Sequence, residues 1–140
     1  MFKKETEYAL RALVYIWKQN NLGHRPGIAE TAEEIFAPPP FTAKILQRLV
    51  KSGLISSQKG KGGGFYFGGG QSEIFLKEVI ILIEGQKIFT SCGFGLGKCS
   101  DENPCPIHNQ YINVRTSLER IFSENTIQDL AKKNTGTMGN

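Results

Sequence analysis

Apolar residues recur at helical spacing through the first third of the chain and predict three helices, at residues 5–20, 27–36 and about 41–51. The prolines at positions 38–40 separate the second helix from the third, because a helix cannot continue through them. The third helix is expected to turn these side chains inward: Phe41, Ile45, Leu46 and Leu49. It is expected to expose these polar and basic side chains: Thr42, Lys44, Gln47, Arg48 and Lys51.

Two short runs of β-forming residues, 54–58 and 65–67, follow the third helix and predict a hairpin. The tip between them, Lys59-Gly-Lys-Gly-Gly-Gly64, carries two lysines on flexible glycines. A nucleotide-binding phosphate loop is excluded, since the Gly-Lys-Ser/Thr ending and a following helix are missing. A basic helix alone is typical of a solvated surface as well as of a DNA-reading helix. The hairpin favours DNA and predicts a winged helix-turn-helix, so the fold class is mostly α with a small β-hairpin wing.

The second half of the chain predicts three more helices. The first, at residues 74–83, follows the wing. The next carries apolar residues with gaps of four and three, which is a heptad pattern: Ile107, Tyr111, Val114, Leu118 and Ile121. Such a seam packs either against a second copy of the helix or against its own domain. Thr126-Ile-Gln-Asp129 is typical of a capping box and predicts a last short helix through about Lys132.

The net charge of +4 is modest, but it is unevenly distributed along the 140 residues. No acidic residue occurs between Ile35 and Ser72, and this stretch contains five of the basic ones: Lys44, Arg48, Lys51, Lys59 and Lys61. A face that meets a polyanion such as double-stranded DNA is the favoured interpretation. The longest apolar run, at residues 79–83, is far too short for a membrane span, and the chain shows no signal peptide. We therefore expect a cytoplasmic protein with no membrane partner.

All three cysteines and one of the two histidines occur within seventeen residues, as Cys92, Cys99, Cys105 and His108. Glycines at 93, 95 and 97 make the first loop pliable, and Pro106 suits the first turn of a helix with Cys105 at its N-cap. Unrelated core positions are disfavoured by the glycine and proline content, and a disulfide by the odd number of cysteines. The spacing matches neither common zinc ribbons nor ferredoxins, so it indicates a metal or iron–sulfur site without defining its type.

Four motifs together resemble a family of bacterial regulators that includes IscR, NsrR and CymR. They are Tyr8-Ala-Leu-Arg-Ala-Leu13, Ile45-Leu-Gln-Arg-Leu-Val-Lys-Ser-Gly-Leu-Ile55, Lys59-Gly-x-x-Gly-Gly-Phe65 and Glu84-Gly85. The resemblance extends from the N-terminus to about Leu130. It implies a homodimeric winged-helix transcription factor, most often a repressor, that binds palindromic promoter DNA through the recognition helix and the wing. The residues placed at the DNA are Thr42, Ala43, Lys44, Gln47, Arg48, Lys59 and Lys61.

The resemblance also implies an iron–sulfur cluster held by Cys92, Cys99 and Cys105, which senses redox state, nitric oxide or iron–sulfur supply. In IscR-like members a histidine at the position of His108 completes a 2Fe–2S site. In NsrR-like members an acidic residue of the partner subunit ligates a 4Fe–4S cluster, and Glu7 falls at that position. The 2Fe–2S site with His108 is favoured, with 4Fe–4S as the close alternative. A regulator that lacks a cluster, and uses cysteine oxidation or a structural zinc, is the competing interpretation.

The implied organisation has three parts. Residues 1–70 form the winged helix-turn-helix DNA-binding domain, residues 71–133 the cluster-binding loop and dimerisation helix, and residues 134–140 a disordered tail. Two departures from the family pattern stand out: Lys59 replaces the arginine usual in the wing, and three prolines precede the recognition helix. No acid–base pair or nucleophile arrangement is visible in the chain, so we expect that it is not an enzyme.

Overall fold

A computed structural model describes residues 2–70, 72–95, 99–134 and 136. Helices and one hairpin follow one another within these ranges. In chain order they are α1 (Lys4–Asn21), α2 (Ile28–Glu34), α3 (Pro39–Lys51), β1 (Ser56–Gln58), β2 (Gly64–Tyr66), α4 (Leu76–Glu84), a short 3₁₀ helix (Gln86–Phe89), α5 (His108–Glu124) and α6 (Ile127–Lys133). The element order confirms the predicted winged helix, mostly α with a small hairpin.

The first helix is the centre of the packing. Ala9, Leu13 and Ile16 of α1 are fully buried, and the helix contacts α3, α4, α6 and β2. Buried residues of all these elements form one hydrophobic cluster, which includes Leu46 of α3 and Ile127 of α6. Since the core is continuous across residue 70, the division into 1–70 and 71–133 is a proposed division of function and not a packing boundary.

The third helix begins earlier than predicted, and its buried stripe differs by one position. Pro39 and Pro40 occupy its first turn, where a missing backbone N–H costs nothing. The buried residues are Thr42, Ile45, Leu46 and Leu49, which is the regular i, i+3, i+4, i+7 spacing of a single helix face.

Two expectations for this helix are therefore wrong. Thr42 was expected outside but is 1% exposed, and its hydroxyl is satisfied by donating to Pro38 O at 3.0 Å. Phe41 was expected inside but is 50% exposed, because its position flanks the buried stripe. Its ring meets the Tyr8 ring edge-on instead, with centroids 6.4 Å apart.

The wing is a short antiparallel hairpin, as predicted, with Ser56 opposite Tyr66 and Gln58 opposite Gly64. Phe65 points into the core and is 8% exposed, and its N–H donates to Pro26 O at 2.9 Å. The turn before α2 thus lies along the outer edge of β2. A Cβ atom at Gly64 would lie 2.1 Å from Arg25 O, and the Gly64 φ is +148°, so only glycine fits at this crossing.

The last two helices confirm the predicted elements, with one correction at the start of α5. Ile107 caps α5 and the helix begins at His108, so Cys105 is not its N-cap and Pro106 lies before the helix. His108 N–H donates to Cys105 O at 3.0 Å in a turn that leads into the helix. Thr126 caps α6 as predicted, since its Oγ1 accepts from Asp129 N–H at 3.0 Å.

None of the helices within the described ranges has the length and apolar content needed to cross a membrane. Asn134 and Gly136 are described, whereas the rest of the predicted disordered tail at 134–140 lies outside the described residues, as does Gly97 of the cysteine loop.

Substituting Gly64 with alanine is expected to destabilise the protein by at least about 2 kcal/mol, because alanine disfavours this φ and its Cβ has no room beside Arg25 O. Gly69→Ala is the matched control, since a Cβ there meets nothing within 4 Å, and it should change stability by less than about 0.5 kcal/mol. Urea unfolding followed by circular dichroism measures both variants. Equal unfolding midpoints would contradict the described crossing.

Candidate nucleic-acid interface and cysteine–histidine site

One face of the protein combines the exposed side of α3 with the tip of the wing. Lys44, Gln47 and Lys51 are exposed along α3, and Lys59 and Lys61 are exposed on the hairpin tip. An open cleft of about 510 Å³ separates the helix from the hairpin. It is lined by Gly27, Ile28, Gln47, Val50, Lys51, Ser57, Gln58, Lys59, Gly60, Gly63, Gly64 and Phe65.

The chemistry of this face suits a nucleic acid duplex. Amide and ammonium groups on an exposed helix can bond base edges in a major groove, and ammonium groups on a glycine tip can neutralise phosphates. The face carries no acidic residue of its own, because none occurs between Ile35 and Ser72.

The structure separates the predicted DNA-contacting residues into three groups. Lys44, Gln47, Lys59 and Lys61 are exposed and Ala43 is half-buried, so these five are wholly or partly accessible to a ligand. Thr42 is buried and is not. The remaining residue, Arg48, is exposed, but its guanidinium already makes hydrogen bonds within the protein.

The Arg48 guanidinium joins α3 to two other helices. Its Nη1 donates to Glu5 Oε1 at 2.9 Å and its Nη2 to Leu82 O at 2.8 Å. The side chain therefore extends toward α1 and the end of α4, away from the line of Lys44, Gln47 and Lys51. Its partners lie far away in sequence, so nothing in the local pattern signals this role.

The cysteine loop brings two of its thiols together. Cys92 and Cys105 are 8% and 7% exposed, and their side chains are in hydrogen-bond contact. Burial, followed by this hydrogen bond, raises the pKa of the Cys105 thiol above its usual value. The thiol is thus held neutral here, and it would lose its proton on binding a metal.

The other pair is Cys99 and His108. The Cys99 Sγ lies 3.3 Å from Nδ1 of His108, and Nε2 of the same ring lies 2.7 Å from Asp101 Oδ1. The imidazole is 7% exposed. If Nε2 carries the proton and donates it to the carboxylate, Nδ1 presents its lone pair toward Cys99. A carboxylate on the far nitrogen is the usual support of a metal-binding histidine.

Contacts with α5 fix the loop locally. Arg115 donates from Nη1 to Ser91 O at 2.9 Å, and Cys99 N–H donates to Thr90 O at 3.0 Å. Gly93 lies against the Tyr111 ring, where a Cβ atom would come within 2.9 Å of a ring carbon. Residues from both ends of the loop are thereby brought to the first turns of α5.

The two pairs do not close into one finished coordination shell. Among the described residues, no group of three or more His, Cys, Asp and Glu side chains is placed to hold a metal ion. An open cavity of about 560 Å³ lies beside the pairs, lined in part by Asp101, Cys105 and His108. The donor types fit an iron–sulfur cluster or zinc, and Asp101 is a supporting residue that the spacing of cysteines and histidine did not predict.

Glu7, the other predicted ligand, lies on α1 with its side chain 36% exposed. Its Oε2 is 3.2 Å from Lys4 Nζ, an ion pair without hydrogen-bonding geometry.

Comparison with known proteins gives a consistent result. Residues 2–133 match the family model Rrf2, described as an iron-dependent transcriptional regulator. An HTH-type transcriptional regulator of Aquifex aeolicus is 30% identical over 132 residues, which covers 93% of this chain and 90% of that protein. The HTH-type transcriptional regulator IscR of Escherichia coli is 28% identical over 123 residues, with 88% and 75% covered. The solved structure of CymR, the global cysteine regulator of B. subtilis, superposes with a TM-score of 0.76 at 16% identity, covering 96% of this chain and 98% of that one.

Arg48→Ala and Lys44→Ala remove the same charge from the same helix and should have different effects. Arg48→Ala is expected to lower the free energy of unfolding by about 1 kcal/mol, because two tethers of α3 are lost at a partly exposed site. Lys44→Ala should leave stability within about 0.5 kcal/mol and weaken duplex binding. Denaturant unfolding and fluorescence anisotropy with a labelled duplex measure the two effects. If Arg48→Ala kept its stability and lost more DNA affinity than Lys44→Ala, then Arg48 and not Lys44 would be the residue that contacts DNA.

Proposed function

Because the chain belongs to the Rrf2 family of transcriptional regulators, we propose that it represses transcription as a homodimer whose DNA affinity depends on a cluster at Cys92, Cys99 and Cys105. The chain is a DNA-binding transcriptional regulator and not an enzyme. The observation that carries the cluster proposal is the gathering of Cys92 with Cys105 and of Cys99 with His108 at the start of α5. The proposed compartment is the cytoplasm, where thiols stay reduced.

In the proposed complex, α3 enters the major groove and the wing follows the phosphates beside it. Support comes from the exposure of Lys44 and Gln47 on α3 and of Lys59 and Lys61 on the tip. Lysine lacks the planar fork of arginine. The tip is therefore proposed to supply charge and not base-specific bonds.

The proposed dimer is formed by α5. Val114 and Ile121 of the heptad seam are 58% and 48% exposed, which leaves apolar surface on this helix for a second copy to cover. A groove of about 180 Å³ beside them has an aromatic and aliphatic lining that includes Phe89, Leu118 and Phe122. A second α5 packed on this seam would bury it, and the two-fold axis predicts palindromic DNA with half-sites about one helical turn apart.

At the cysteine site, the three thiols and the His108 imidazole are proposed to hold a 2Fe–2S cluster. Such a group supplies a centre that responds to oxidation, nitric oxide or iron–sulfur supply. The position of Asp101 at Nε2 supports His108 as the fourth ligand, because it leaves Nδ1 toward Cys99. The alternative, a 4Fe–4S cluster with Glu7 of the partner subunit, remains open for the test below.

The chain's own contacts offer a route from this site to the DNA face. Arg115 donates a hydrogen bond to Ser91, where the cysteine loop begins. The end of α4 lies earlier in the chain and is tied to α1, since Glu84 accepts from Thr6 Oγ1 at 2.6 Å. Leu82 O in the same turn accepts from Arg48 of α3. A change in the loop would therefore reach the recognition helix through α4. Such a change in the loop regulates transcription only if the protein binds DNA with different affinity in the presence and in the absence of the cluster.

A regulator without a cluster is the second candidate. The hydrogen-bond contact between the Cys92 and Cys105 thiols suits a pair that oxidises to a disulfide, and three cysteines with His108 suit a structural zinc. In both cases the DNA face is unchanged and only the signal differs.

Purification without oxygen is expected to give a brown protein that contains iron and sulfide. Serine at Cys92, Cys99 or Cys105 should abolish the colour. His108→Ala should change the visible and resonance Raman spectra, because an imidazole ligand is lost. The control is His24→Ala, which removes the other histidine, paired with Glu30 at 2.9 Å.

The same spectra decide whether His108 or Glu7 is the fourth ligand of the cluster. A change with Glu7→Ala and none with His108→Ala would replace the 2Fe–2S proposal by the 4Fe–4S alternative. A colourless protein that contains stoichiometric zinc would overturn the cluster altogether.

Lys59→Ala and Lys61→Ala are expected to weaken binding to every duplex alike. Each lost phosphate contact should reduce the slope of log affinity against log salt by about 0.9. Anisotropy titrations at several potassium chloride concentrations measure the slope, with matched and scrambled duplexes. Unchanged affinity at physiological salt would contradict the role of the wing.

A further inference from the structure

A guanidinium group stands on the outer face of the wing, outside the predicted DNA-contacting residues. Arg25 belongs to the turn between α1 and α2. Its Cζ lies 3.8 Å from the centroid of the Tyr66 ring, and its Nη1 donates a hydrogen bond to Gln58 Oε1. Tyr66 is on β2 and Gln58 on β1, so the side chain spans both strands on the face opposite the buried Phe65.

The backbone below this side chain is fixed to the hairpin. Gly64 packs against the Arg25 carbonyl so closely that no Cβ fits. The next carbonyl, that of Pro26, accepts from Phe65 N–H at 2.9 Å, and Asn20 Nδ2 donates to Phe65 O at 3.3 Å. Arg25 is thus held at its backbone and at its tip, and little further entropy is lost if it binds a ligand.

No ion pair balances the Arg25 charge among the residues that the structure describes. The carboxylate of Glu30, on the adjacent helix, makes its hydrogen bonds with other groups. They are His24 Nε2 at 2.9 Å and Gly27 N–H at 2.9 Å. Stacking on a ring and bonding to a neutral amide orient a guanidinium but leave its charge uncompensated. The remaining N–H donors have the fork geometry that matches a phosphate.

We propose that Arg25 contacts DNA directly, by binding a backbone phosphate beside the wing and fixing the position of the hairpin on the duplex. This inference rests on the proposed docking of the wing. Gln58, which bonds Arg25, immediately precedes Lys59 and lines the cleft between α3 and the hairpin. Arg25 itself lines a neighbouring open pocket with Tyr66 and Asn20, and Gln58 links this pocket to the cleft through its hydrogen bond with Arg25. The backbone of a duplex that extends past the cleft would meet the guanidinium there. Arg25 adds the planar donor that the lysines of the tip lack.

Arg25→Ala should lower affinity on the order of tenfold per half-site, equally for a promoter duplex selected by the wild-type protein and for a scrambled one. The salt slope should fall by about 0.9 for each bound protomer. Arg25→Lys should keep most of the slope but recover only part of the affinity, because it keeps the charge without the fork. Tyr66→Leu should likewise keep the slope and lose several-fold in affinity, because it removes the ring on which Arg25 stacks.

Lys132→Ala is the matched control, since it removes one charge from the exposed side of α6, outside the winged part. Thermal unfolding of each variant checks that it is folded. If Arg25→Ala is destabilised, the comparison of Arg25→Lys with wild type, which preserves the charge, decides instead: equal affinity of these two proteins overturns the proposal.

The Lys61→Ala titration separates the two proposals. If Lys61→Ala weakens binding while Arg25→Ala behaves like Lys132→Ala, the role of Arg25 is overturned and the wing assignment stands. If neither Lys61→Ala nor Arg25→Ala weakens binding, the wing does not contact DNA and both proposals fail.

Discussion

Burial of the apolar face of α1 is the interaction on which the rest of the structure depends. Ala9, Leu13 and Ile16 have no exposed surface, and each large aliphatic side chain buried in this way contributes roughly 1.5–3 kcal/mol. The small residues at 9 and 12 let neighbouring helices approach closely. Since α3, α4 and α6 all pack on this helix, α1 determines how α3, the proposed DNA-reading helix, is placed relative to the segment that leads into the cysteine loop.

The packing of α3 on this core decides which of its side chains are exposed to a ligand. The buried stripe begins with Thr42, so Lys44 and Gln47 stay exposed, and Gln47 lines the cleft beside the wing. Arg48, on the flank of the stripe, is drawn to Glu5 and to a free carbonyl of α4. One basic residue of the helix thus ties α3 to α1 and α4, whereas Lys44 and Gln47 stay exposed. Arg25 is the opposite case to Arg48. It comes from a turn outside the wing, and its contacts with Gln58 and Tyr66 hold it on the wing at the proposed interface.

The cysteine site is arranged as two pairs rather than one shell. Burial, followed by the hydrogen-bond contact with Cys92, raises the pKa of the Cys105 thiol. His108 already has the support that a metal ligand needs, through Asp101. The N-terminal part of the loop is held by hydrogen bonds at Ser91 and Thr90 and by the packing of Gly93 on the Tyr111 ring.

Periodicity and turn chemistry in the sequence were sufficient for the order of the elements, the wing and the Thr126 cap, because each of these depends on residues a few positions apart. The candidate ligands came from the clustering of the cysteines with His108 and from the family resemblance, and they stay a prediction. Tertiary structure decided the rest. The inward face of α3 shifted from Phe41 to Thr42 because the stripe that packs on α1, and not hydrophobicity alone, selects the buried positions. Arg48 and Arg25 bond to partners that folding alone brings near, up to 43 residues away in the chain. Asp101 meets His108, which is nearer in the sequence, through the fold of the loop. A single sequence carries no local signal for contacts of that kind, since they exist only once the helices are packed.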